Sequence, residues 1–152
     1  MDVTESLQVL LHRLELSAQG DITPPEVKDS NEAIPWVHHR RGNYMQTPIL
    51  IGNRLYACSD RGALTCFDAK DGSVLFSERF AGNGFTASPV SDGKHLYITC
   101  EFGDVFVVKV GDKFEKVAKN NLGDSCLATP AIADGTLFFR TQTSLLAIRT
   151  KN

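Results

Sequence analysis

Short apolar runs separated by turn residues recur along most of this chain. Residues 49–51 (Ile-Leu-Ile), 55–58 (Leu-Tyr-Ala-Cys) and 64–67 (Leu-Thr-Cys-Phe) are three such runs. Each is too short for a helix, and across the chain such runs favour β-branched and aromatic residues, so they predict strands. Gly52-Asn53 separates the first two, and Asp60-Arg61-Gly62 the next two. Gly, Asn and Asp accept the positive φ that tight hairpins require. A third turn, Asp71-Gly72, leads to a fourth candidate strand at 73–79.

The unit then repeats. Thr47-Pro48-Ile49 is matched by Ser88-Pro89-Val90 and Thr129-Pro130-Ala131, with the prolines 41 residues apart each time. Leu55, Leu96 and Leu137 keep that period, as do Leu64, Val105 and Leu146. Asp92-Gly93 and Asp134-Gly135 stand at the first turn of the later units, the third glycine one residue late. Phe102-Gly103-Asp104 and Gly111-Asp112 supply the second and third turns of the middle unit, leading to a fourth strand at 113–119. Four antiparallel strands at this period predict the blade of a β-propeller. Residues 97–99, 105–108 and 137–139 are nearly continuously apolar instead of alternating. That suits sheets buried on both faces, as blades packed between neighbours are. The predicted class is therefore all-β, a β-propeller fragment of four-stranded antiparallel blades. The blades fall at 47–85 and 86–126, with a partial last blade of three strands at 127–152.

The first unit, from Thr47 to Phe76, reads TPILIGNRLYACSDRGALTCFDAKDGSVLF. It resembles the pyrroloquinoline quinone (PQQ) repeat family, whose blade runs Ser/Thr-Pro-Val, Asp-Gly, Leu-Tyr, Asp-Gly-x-Leu, then Leu-Asp-Ala-x-Thr-Gly, with a docking Trp after it. Asp68-Ala69-Lys70-Asp71-Gly72 matches the last turn with Asp71 in place of Thr, and Phe76 stands where the docking Trp is usual. The middle unit departs further, with Lys109-Val110-Gly111 replacing the Asp-Ala turn. The resemblance covers residues 47–149 and speaks to fold more than to activity. It implies quinoprotein-like or BamB-like repeats, the latter known from outer-membrane assembly proteins, and a periplasmic or secreted setting.

The family's enzymes close a ring around PQQ and calcium, with a vicinal Cys-Cys disulfide, a Trp stacked on the cofactor and a carboxylate base. This chain has no Cys-Cys pair, and its one Trp, Trp36, precedes the clear repeats. The expected function is a non-catalytic binding or scaffold propeller, with a C-terminal fragment of a PQQ-dependent quinoprotein dehydrogenase as the alternative.

Residues 1–46 fall outside the period. Leu7, Leu10, Leu11 and Leu14 suit a short helix, whereas Leu14 and Leu16 suit a strand. Residues 20–33 are polar and carry Pro24-Pro25, which predicts a loop. The segments 7–16 and 35–38 are expected to be the remains of a preceding blade, with Trp36 as its docking residue. The third repeat stops at Arg149, after its third strand. Propellers often complete a last blade with a strand from the far N-terminus, so the chain is expected to be a C-terminal portion of a larger ring whose remaining blades are its first partners.

Composition changes this picture little. The chain has 152 residues and a net charge of −2, from 16 basic and 18 acidic residues. That balance gives no electrostatic footprint for nucleic acid. No window has the roughly 18–20 apolar residues of a membrane span. Cys58, Cys66, Cys100 and Cys126 lie in apolar runs with no metal-ligand spacing, which predicts buried thiols.

The candidate contacts are few. His38-His39-Arg40-Arg41, flanked by aromatic residues, could meet an anion or an acidic protein, although charge runs usually face water. His38 and His39 are adjacent and should point to opposite faces of a strand. Arg61 and Glu101 sit in equivalent turns, and Asn83 and Phe85 in the first blade-to-blade loop. Arg140 lies in an apolar run and asks for a partner, with Glu101 of the adjacent blade as the candidate. Neither a nucleophile elbow nor a phosphate loop is present, and no catalytic or metal-binding residues are assigned.

Overall fold

The computed structural model describes residues 10–24, 26, 30–39, 41–81 and 84–149. Among them there is no helix; thirteen strands form four antiparallel sheets. The first full sheet is β3 (Ile49–Ile51), β4 (Arg54–Cys58), β5 (Ala63–Asp68) and β6 (Val74–Arg79), paired in chain order. The second repeats that order with β7 (Val90–Ser91), β8 (His95–Thr99), β9 (Asp104–Lys109) and β10 (Lys116–Asn121). A three-stranded sheet follows, with β11 (Ala131–Ala133), β12 (Thr136–Arg140) and β13 (Leu145–Ile148). Before them, β1 (Leu10–His12) pairs with β2 (Val37–His39). Residues 10–12 thus form a strand in place of the helical alternative, while Leu14 and Leu16, the positions that suited a strand, lie beyond it; Leu7 lies outside the described residues.

Two details differ from the sequence expectation. β10 starts at Lys116, three residues later than proposed. The preceding turn is longer because Phe114 folds inward, its ring 5.8 Å from Phe76 and 5.9 Å from Phe80. In the last sheet the repeat slips by one residue. Leu64 opposes Cys58 and Val105 opposes Thr99, whereas Arg140 is opposed by Leu145 and not Leu146. The hairpin at 141–144 is one residue shorter than its counterparts.

The core lies between the sheets. Tyr56, Cys58, Leu64 and Cys66 of the first full sheet pack against Leu96, Ile98, Cys100, Phe106 and Val108 of the second. The opposite face of the second carries Val105 and Tyr97, which meet Leu137, Phe139 and Cys126. Both faces of the second sheet are therefore covered, which explains its unbroken apolar runs. Each fully buried residue such as Leu96 or Ile98 contributes about 1.5–3 kcal/mol. Burial also pushes the Cys58 thiol up to about 12, with the charge of Asp60 adding to it, and Cys66 up to about 11.

Polar contacts repeat across these interfaces as well. Thr47 N–H donates to Ser88 Oγ at 2.9 Å, and Ser88 N–H donates to Thr129 Oγ1 at 3.0 Å. The Ser/Thr before each proline thus accepts an amide from its counterpart one repeat earlier. On the outer side, aromatic residues dock on the turn of the following sheet. Trp36 donates its indole N–H to Ala69 O at 3.1 Å and lies on Gly72, where a Cβ would come 2.7 Å from the ring. Tyr56 exchanges hydrogen bonds with Gly111, accepting from its N–H at 3.0 Å and donating to its carbonyl at 3.2 Å. Arg54 pairs with Asp112 at 2.6 Å.

Candidate functional site

Antiparallel order puts two sets of loops at one end of every sheet: the turns between second and third strands, and the crossovers from a fourth strand to the next first strand. Backbone hydrogen bonds join the two sets into a rim. Phe85 N–H donates to Asp60 O and Glu101 N–H to Gly84 O. One repeat on, Cys126 N–H donates to Glu101 O and Gln142 N–H to Ser125 O. The crossovers also insert side chains between the sheets. Phe85 is 1 % exposed, packs on Phe80 and Phe106, and fills the space a Cβ on Gly62 would need. Cys126 is inserted in the same way.

The sequence candidates fall on this rim unevenly. Arg61 is exposed in its turn. Glu101 is half-buried and accepts the Thr86 hydroxyl. Phe85 is occupied by the core, so it is not presented to a ligand. Arg40 and Asn83 lie outside the described residues. His39 is exposed, but His38 belongs to an interface between sheets. Its ring packs 4.7 Å from Phe67 and 5.6 Å from Trp36, and its Nε2 lies 2.5 Å from Gly72 O, which places the proton on that nitrogen. Arg140 is exposed and donates to Thr141 O at 2.5 Å. It does not pair with Glu101: the side chain at the end of β12 points to the face that leads away from the second sheet, while Glu101 is held by Thr86.

Several rim residues escaped the sequence reading. Tyr44, Met45, Phe102 and Leu127 are exposed, Phe102 at 70 %. Gln46 is 3 % exposed with its Nε2 unpartnered, and neither amide atom of nearby Asn43 has a partner. The signal was in the repeat itself: Ala87 and Ala128 hold the positions equivalent to Gln46, and Arg61 and Thr143 those equivalent to Phe102. Charged groups near the blade turns are tied down within the fold. Burial raises the Asp92 carboxyl, but hydrogen bonds from the His95 and Lys94 amides and the Tyr97 hydroxyl outweigh it and bring it down to about 2. Asp124 is held at about 2 by the hydroxyl and amide of Thr143.

Trp36 is 7 % exposed and packs on Gly72 and Phe67, so its ring is not free to stack on a quinone. The four cysteines are dispersed, buried thiols. Among the described residues, no helix is long and apolar enough to cross a membrane.

No family model matches the sequence, and no curated protein matches it. Solved structures do. BamB from Moraxella catarrhalis superimposes with a TM-score of 0.62 at 15% sequence identity, over 76% of this chain. The chain spans 36% of the length of that structure. Repeat, sheet order and structural likeness converge: this chain has the blade-by-blade β-propeller fold found in BamB.

Proposed function

We propose that this chain is part of a binding or scaffold β-propeller that presents its rim of crossovers and turns to another protein. The observation that carries the reading is the exposed apolar side chains on that rim, Met45, Phe102 and Leu127, with the buried, unpartnered amide atoms of Asn43 and Gln46 flanking Met45 in the chain. Exposed apolar groups rimmed by polar ones are what protein-binding surfaces offer. The Glu101 and Asp124 carboxylates on the same rim are engaged by hydroxyls of the fold, which suits a rigid platform. Within this reading the remaining blades of a larger ring are also partners, and the setting is periplasmic or secreted, in keeping with the family the repeats resemble.

A photo-cross-linking residue at Phe102, set against one at Val74 near the opposite rim, tests it in the native cell. The Phe102 probe should yield a discrete protein adduct and the Val74 probe none. Equal labelling, or none at either position, would overturn the reading. Dye-linked turnover by the complete protein after reconstitution with PQQ and calcium would replace it with the dehydrogenase alternative.

A further inference from the structure

The crossover into the first full sheet buries polar atoms that it does not pair. Both amide atoms of Asn43 and the Nε2 of Gln46 are shielded from solvent without a hydrogen-bond partner among the described residues. Gln46 is 3 % exposed, and its Oε1 accepts only a long bond from the Met45 amide, at 3.4 Å. Leaving such groups unpaired costs their full desolvation, so native interiors hold few of them.

The next repeat satisfies the same place with its own residues. Gly84 lies one period after Asn43, and a Cβ on it would stand 2.8 Å from the Glu101 carboxylate. The period therefore starts the Asn43 side chain where the next crossover meets the carboxylate of its turn. Glu101 is bonded there by the Thr86 hydroxyl. Met45 holds the Thr86 position and brings no hydroxyl, while Asp60, at the Glu101 position, is exposed. Gln46 stands where Ala87 and Ala128 carry only a methyl group. The first crossover thus keeps polar groups in this place and lacks the hydroxyl that answers them.

What answers them instead has to be small, and has to both accept and donate. Asn43 presents a donor and an acceptor, and Gln46 a donor. An anion would meet the two donors and leave Oδ1 unpaired, and a cation the reverse. Water accepts from both nitrogens and donates to Oδ1, and a buried water typically makes about three such bonds.

We propose that the crossover at 41–47 encloses an ordered water, held by Asn43 and Gln46, which takes the part that the Thr86 hydroxyl plays one repeat on. The site lies beneath the exposed rim residues, so failure of cross-linking at Phe102 would leave it standing.

Water-selective NMR on the full isotope-labelled chain tests it. The side-chain NH2 signals of Asn43 and Gln46 should show direct cross-relaxation with a long-lived water, and those of the exposed Asn120 should not. Met45→Thr places a hydroxyl where the next crossover has one. In that variant the Asn43 contact with water should be lost while its NH2 protons stay slow to exchange. Met45 is exposed, so the variant keeps its fold, and the far-UV spectrum checks this. NH2 signals of Asn43 and Gln46 without a water contact in the native chain would overturn the proposal. So would an Asn43 water contact unchanged by Met45→Thr, because the water would then not stand in for the hydroxyl.

Discussion

Single residues in this chain are specialised by what faces them. Asp124 and Asp92 carry carboxyls near 2, and their unfolded value is 3.8. A depressed folded pKa gives stability that is complete above the unfolded value and is lost as pH falls towards the folded one. Stability should therefore hold from neutral pH to about 4 and decline between about 4 and 2. Urea midpoints across that window measure it, and Asp124→Asn should flatten the decline; an unchanged profile would remove Asp124 from the account. At this scale the sequence was only partly legible. It marked Arg140 as a charge in need of Glu101, but the residue is exposed and bonds its neighbour Thr141 O instead. It misread Phe85 as a presented residue, because a loop aromatic gives no sign in sequence that it will be inserted between sheets. His38 was similarly hidden: adjacency to His39 announced opposite faces, but nothing announced Trp36 and Gly72 beneath it.

At the scale of elements, the repeat is a statement about contacts more than about strands. The Ser/Thr-Pro step lies 41 residues from its copy because its hydroxyl accepts an amide from that copy. The Asp-Ala-x-x-Gly turn ends in glycine because Trp36 lies on it, with φ at +76° and no room for a Cβ. Gly72→Ala should destabilise the protein by ~2 kcal/mol or more, combining left-handed strain with overpacking. Chemical denaturation reads this, and a loss below half that size would mean Trp36 is not docked there. The strand boundaries were legible wherever both turns were Gly- or Asp-marked. They failed at β10, where the Phe114 side chain extends the turn, and at β13, where a shorter hairpin moves the register by one residue.

At the scale of the molecule, each sheet is incomplete alone. The second is apolar on both faces and covered on both. The last exposes Leu145 at 70 % and Arg140 beside it on its outward face. This asymmetry follows from the repeat, since every blade is built to be covered by the next. The period made the propeller readable from the sequence. The exposed apolar residues of the rim were not readable, because the period aligns Tyr44 with the buried Phe85 and Met45 with Leu127 and carries no sign of which are covered. These sheets stack in sequence through amide-to-hydroxyl and amide-to-carbonyl bonds repeated every 41 residues. Residue-resolved hydrogen exchange of the native chain tests it most directly. The amides of Thr47, Ser88, Phe85, Glu101, Cys126 and Gln142 should exchange slowly, and that of Thr129, whose acceptor would lie on a further blade, should exchange fast. Exchange at Thr47 and Ser88 as fast as at Thr129 would contradict it.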